Sequence, residues 1–217
     1  MVSGKYEAAK ALISWWRKYR REFPWRNART PYEILIAEIL LHRTKADQVV
    51  PVYNRFLSSF PSVKHLASAT PEDVLDIIRP LGLAWRAPLL VRMACRIMET
   101  SGGTILDDRS WLLSLPGISD YTASAVLCFA FEKRASLLDT NTIRILGRME
   151  NMTVNDNSRR NKKFHQAYLS LMCNSSPRDF GYAMIDLGAL VCAPRNPRCD
   201  DCPINFACSY CRNKKLL

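Results

Sequence analysis

Four of the eight cysteines fall within 17 residues, at Cys192, Cys199, Cys202 and Cys208. Their spacing, Cys-x6-Cys-x2-Cys-x5-Cys, constrains this chain more than any other feature of its sequence. Thiols packed so closely are a disulfide staple, a metal site or a redox-active group. Nothing in the chain favours the staple. No apolar run approaches the roughly 18 residues of a membrane span, and the opening stretch MVSGKYEAAK carries charges where a signal peptide is apolar. The chain is therefore expected in the cytosol, a reducing compartment in which structural disulfides are rare. Cys95, Cys128 and Cys173 stand singly in apolar helical stretches and read as small buried hydrophobes.

Zinc sites usually pair two Cys-x2-Cys units a dozen or more residues apart, and here there is one such pair with flanking cysteines. Four thiolates can equally hold a cubane iron–sulfur cluster. The residues alone leave both metals open, with Cys211 outside the pattern as a bystander.

Charge points to a partner. Lys and Arg number 31 against 20 Asp and Glu, a net charge of +11, and such an excess in a soluble protein usually meets nucleic acid. The apolar share of 48% supplies a core and excludes bulk disorder. Periodicity is helical nearly throughout. Ala8, Leu12, Ile13 and Trp16 form one stripe, Pro31 opens a helix through Glu38, and Thr70-Pro71-Glu72-Asp73 is a capped start. Later helices are expected near 121–131, 140–150, 161–173 and 178–191. No period-2 strand stands out, so the fold class is all-α.

Three further stretches carry chemistry. Leu115-Pro116-Gly117-Ile118-Ser119 is a tight turn between two apolar helices, which reads either as a plain helix-turn-helix connector or as a turn that offers backbone N–H groups to phosphate. Asp139 precedes the helix opening at Thr140, where it reads either as an N-cap or as a charge aimed at a substrate. Glu38 shares a helix side with Ile34, Leu35 and Leu41. Desolvation there would raise its pKa toward that of a general acid, whereas an exposed i, i+4 pair with His42 would make it structural.

Turn, aspartate and cysteine loop together resemble the helix-hairpin-helix DNA glycosylases with a 4Fe–4S cluster, the endonuclease III and MutY group. The resemblance runs from FPWRNARTPYEILIAEILLHRT to Cys208. The hairpin departs from the family's L-P-G-(apolar)-G form, because Ser119 stands at the second glycine and would tolerate a positive φ less well. The family implies two helical lobes with a DNA-binding cleft between them. One would be a six-helix barrel over residues 27–134; the other would join 1–26 to 135–217 and carry the cluster on Cys192, Cys199, Cys202 and Cys208. It also implies that Gly117, Ile118 and Ser119 grip phosphate. His42, Arg43, Leu83 and Trp85 would fill the vacated stack or contact the base left behind.

Members that also cut the strand carry a lysine where this chain has Tyr121, and a tyrosine forms no Schiff base. The resemblance therefore implies a monofunctional glycosylase with catalytic Asp139, Glu38 and Tyr121, acting as a monomer on mismatched double-stranded DNA. The thymine–guanine mismatch (Mig-type) enzymes share the glutamate, the tyrosine and a basic residue like Arg43. Adenine glycosylases, the alternative, typically have a glutamine pair at His42-Arg43 and Gly-Leu-Gly-Tyr-Tyr where this chain reads Gly82-Leu83-Ala84-Trp85-Arg86. They also carry a further C-terminal domain for oxidised guanine, which is not expected here. Thymine or uracil opposite guanine is the expected target. A non-catalytic iron–sulfur DNA-binding protein is the remaining alternative, with Glu38 a surface acid and Asp139 a cap.

Overall fold

The computed structural model describes residues 2–28, 30–82 and 84–214. Among them every regular element is helical, as the periodicity requires. No described helix is long and apolar enough to cross a membrane. Contacts divide the chain into two units: residues 22–131, and the terminal segments 1–21 with 132–217.

The discontinuous unit begins with α1 (Val2–Tyr19) and resumes with α9 (Thr140–Glu150), α10 (Lys162–Met172), α11 (Pro177–Leu190) and the short α12 (Ser209–Lys214). Ala8, Leu12 and Trp16 of α1 are buried with Phe164, Tyr168, Phe180, Met184 and Leu187 in its core, while Ile13 is half-buried. Asp186 of α11 is fully buried and holds the far end of α1. It accepts from Trp16 Nε1 at 3.1 Å, Arg21 N at 3.2 Å and Arg21 Nε at 2.7 Å. A buried carboxylate is tolerable because it is paired and multiply bonded.

The continuous unit contains α2 (Pro31–Leu41), α3 (Ala46–Ser59), α4 (Val63–Ala67), α5 (Pro71–Ile78), α6 (Ala87–Ser101), α7 (Arg109–Ser114) and α8 (Asp120–Phe131). Helices α2 and α8 are apolar all round, and such helices belong in an interior. Residues 34–38 and 122–129 are all buried, and the two helices pack on each other. Their starts are fixed locally. Thr30 and Glu33 form a capping box on α2, Thr70 and Asp73 form another on α5, and Pro31 and Pro71 stand at the first helical positions. The Thr70 N–H and hydroxyl both donate to Asp73 Oδ2, at 2.9 and 2.8 Å, and hold that carboxyl below its usual range.

Candidate functional site

In the continuous unit, the turn between α7 and α8 is built from its own residues. Asp108 Oδ1 accepts from Trp111 N at 2.6 Å and starts α7, which ends with Leu115 extended and buried. Gly117 takes φ +80°, the left-handed region where only glycine is free of strain, and turns the chain. Ser119 does not take a positive φ. It is the N-cap of α8 instead, with Oγ accepting from Thr122 N at 3.1 Å and lying 2.9 Å from Thr122 Oγ1. The serine that departs from the family's glycine therefore supplies a cap without backbone strain. Arg109 spans the hairpin, donating to Asp120 Oδ1 at 2.7 Å and Ser124 Oγ at 3.1 Å. Gly117 and Ser119 are exposed and Ile118 is half-buried; Tyr121 is half-buried in the first turn of α8.

Glu38 lies inside α2 at 7% exposure, so its carboxyl is not a surface acid. At the end of α2, His42 is exposed and Arg43 follows with φ +66°. A non-glycine residue in that region stores strain, a pattern that clusters at functional turns. Arg86 is 4% exposed and lies under this turn. It donates to Ile39 O, to His42 O at 3.1 Å and to His42 Nδ1 at 2.7 Å. Burial lowers the Arg86 pKa, and the nearby Arg43 cation lowers it further. Trp85 is 61% exposed, its ring centroid 4.9 Å from the Arg86 guanidinium. Beside these residues is a cavity of about 70 Å³ lined by Ile39, Leu89, Leu90, Met93 and Pro116. Leu83 lies outside the described residues.

The discontinuous unit carries Asp139 and the cysteines. Asp139 is half-buried and caps α9 through Oδ1, which accepts from Thr142 N at 2.8 Å. Oδ2 accepts from Asn141 Nδ2 at 3.1 Å. Asn141 is fixed in turn: Arg144 donates to its Oδ1 at 2.8 Å, and to Gly188 O and Cys192 O at 2.8 Å each. Gly188 permits the close approach of α11, since a Cβ there would lie 2.5 Å from the Asn141 Cβ. One turn along α9, Arg148 donates to Cys192 Sγ at 3.2 Å, Ala193 O at 2.8 Å and Pro194 O at 2.9 Å.

Two arginines of α9 thus bind the loop in which the four cysteines stand. Burial pushes the Cys202 thiol up to about 11, with Cys192, Cys208 and Cys199 adding negative charge around it. Thiols that repel one another as thiolates are a donor set suited to a cationic centre. Among the described residues no such group is already set as a metal cage. Cys211, outside the four-cysteine spacing, is buried, and burial followed by the neighbouring Cys199 and Cys208 pushes its thiol pKa up. Of the solitary cysteines, Cys128 is buried, while Cys95 and Cys173 are half-buried.

Sequence reasoning passed over Arg86, Asn141, Arg144 and Gly188. The i, i+4 spacing of Arg144 and Arg148 on one face of α9 was a visible signal. Arg86 gave none, because a lone arginine between Trp85 and Ala87 reads as surface.

Residues 36–168 match the family described as HhH-GPD superfamily base excision DNA repair protein. A thymine-DNA glycosylase of Aeropyrum pernix is 39% identical over 219 residues, covering 97% of each chain. A thymine/uracil-DNA glycosylase of Methanothermobacter thermautotrophicus is 34% identical over 92% of this chain and 90% of its own. The solved structure of a thermostable thymine-DNA glycosylase superposes with a TM-score of 0.90 at 32% identity, covering 97% and 98% of the two chains.

Proposed function

The chain belongs to the HhH-GPD superfamily of base excision DNA repair proteins, and from that membership we propose that it is a monofunctional DNA glycosylase removing thymine or uracil opposite guanine. The observation that carries the reading is the Asp139 carboxylate, held at the start of α9 by Thr142 N and Asn141 Nδ2. In this reaction the bond between the base nitrogen and the sugar C1′ breaks, its electron pair leaves with the base, and water adds to C1′. Positive charge develops on the sugar, and a fixed carboxylate stabilises it without reorganising. Glu38 assists the departing base or orients the water. Tyr121 packs against the flipped nucleotide and, lacking an amine, leaves the abasic site uncut.

The exposed hairpin at Gly117–Ser119 grips phosphate, and His42, Arg43 and Trp85 contact the remaining strand or stack; Leu83 is assigned to the same task from sequence alone. Cys192, Cys199, Cys202 and Cys208 hold a 4Fe–4S cluster, supported by the mutual charge of their thiols and the two arginines on their loop. That cluster supplies order to the loop. The relatives' activities on thymine and uracil, across nine-tenths or more of both chains, favour this target over adenine.

A panel of duplexes carrying T, U or A opposite G or oxidised G, heated with alkali after incubation, tests the reading. Strand breaks are expected at T and U opposite G. Breaks confined to A would identify an adenine glycosylase, and none at all would leave a binding protein.

A further inference from the structure

The contact between Arg86 and His42 has a chemical consequence for which base can stand opposite the excised one. An arginine guanidinium donates hydrogen bonds and accepts none. The His42 Nδ1 that lies 2.7 Å from Arg86 must therefore be the ring nitrogen without a proton. A doubly protonated ring would have no lone pair to offer there. The neutral ring carries its proton on Nε2. Arg86 is itself held by Ile39 O and His42 O, and it is buried, so the guanidinium cannot swing away without stranding two carbonyls.

We infer that Arg86 is a positioning residue that holds His42 as the Nε2–H tautomer, so that the turn after α2 offers the opposite base a hydrogen-bond donor rather than an acceptor. This deepens the glycosylase reading and rests on it. Guanine presents acceptors at O6 and N7, whereas adenine places an amino group at position 6. A donor fixed by Arg86 and facing position 6 is accepted by guanine O6 and meets the amino donor of adenine, whereas the N7 acceptor common to both purines does not discriminate. Specificity for guanine thus needs no contact from Arg86 itself: the buried cation acts through the ring it orients.

The inference is tested first in wild-type protein labelled with ¹⁵N-histidine. The chain has three histidines, and a His42→Ala variant assigns the resonance by its loss. A pyridine-like shift at Nδ1 with a pyrrole-like shift at Nε2 is expected. A proton on Nδ1 would overturn the inference whatever the enzyme does. The second measurement compares excision of T opposite guanine and opposite 2-aminopurine, a purine with no group at position 6. Arg86→Met should reduce the preference for guanine roughly tenfold, the discrimination one base-edge hydrogen bond commonly carries, and Arg86→Lys should retain part of it. The differing cost of opening the two pairs cancels between variant and wild type. Should Arg86→Met not fold, His42→Ala must show the same loss. A preference unchanged in the folded variants would also overturn the inference. If wild type excises neither T nor U, the glycosylase reading falls, while the tautomer and the binding preference for guanine duplexes still decide this one.

Discussion

Asp139 Oδ2 accepts a hydrogen bond from the side-chain amide of Asn141, two residues further along α9, at 3.1 Å. The other oxygen caps the helix, so one carboxylate serves the fold and faces a fixed amide donor at once. Capping is compatible with the catalytic role proposed for this residue.

Asp139→Asn should therefore abolish excision while sparing DNA binding. An amide keeps much of the capping ability, but an Nδ2 replacing Oδ2 would meet the Asn141 donor head on. A stability loss of about 1 kcal/mol is expected from that mismatch, against at least about 10²–10³-fold in rate from the lost charge. Single-turnover excision from a T·G duplex beside a binding titration separates the effects. Unchanged excision would return Asp139 to capping alone.

Gly188→Ala places a Cβ 2.5 Å from the Asn141 Cβ, a distance that requires α11 or α9 to move. Overpacking of this kind costs about 1–3 kcal/mol, read as a lower Tm. Because Asn141 orients Asp139, the excision rate should fall more than DNA affinity does. A fall in Tm with normal turnover would show that this packing does not reach the carboxylate.

Asp73 supplies a pH test of the capping box on α5. Its folded pKa is lowered by the bonds from Thr70, so its contribution to stability is present above the unfolded value and lost as pH falls through the folded one. Relative to wild type, Asp73→Asn should lower Tm at neutral pH, and the difference should shrink once pH drops below about 3.9, the unfolded carboxyl value. A constant difference down to acid pH would show that charge plays no part in the box.

DNA affinity should fall steeply with salt, since a chain of net charge +11 that grips phosphates releases counterions. With roughly four to six contacts, log K against log salt should slope about −4 to −5. A flat dependence would remove the electrostatic account of binding.

Protein purified without air should be brown and carry about four irons per chain, as a four-thiolate cubane requires. Cys202→Ser should lose iron. Cys211→Ser should keep it but unfold more easily, because Cys211 is buried against Cys199 and Cys208. Stoichiometric zinc without iron would refute the cluster assignment.

The fold was legible because its signals are local. Thr70-Pro71-Glu72-Asp73 announces a helix through its own hydrogen bonds, and the expected helices near 121–131 and 140–150 lie at 120–131 and 140–150. Glu38, Asp139 and the cysteine spacing stood out in the sequence as candidates, and the burial of Glu38 and the cap formed by Asp139 are what the structure adds. Arg86, Asn141 and Gly188 did not stand out, because each acts on a residue that the fold brings to it. Gly188 meets Asn141 across 47 positions, and Arg86 meets His42 across 44. The substitution of Ser119 for glycine looked like a defect in sequence and proved to be a cap, since local φ depends on which residue takes the turn.

The bonds from Arg21 to Asp186 span 165 positions, and they set a schedule for the newborn chain. At synthesis rates of about 5–20 residues per second, the partner of Arg21 is made about 8–33 seconds after it. Residues 22–131 are complete well before then and can fold as they emerge. Helix α1 cannot: its apolar face of Ala8, Leu12 and Trp16 waits in solution for α10 and α11. Helix α1 is thus made well before the helices that cover it, and during that interval its apolar face is open to chaperones and to aggregation.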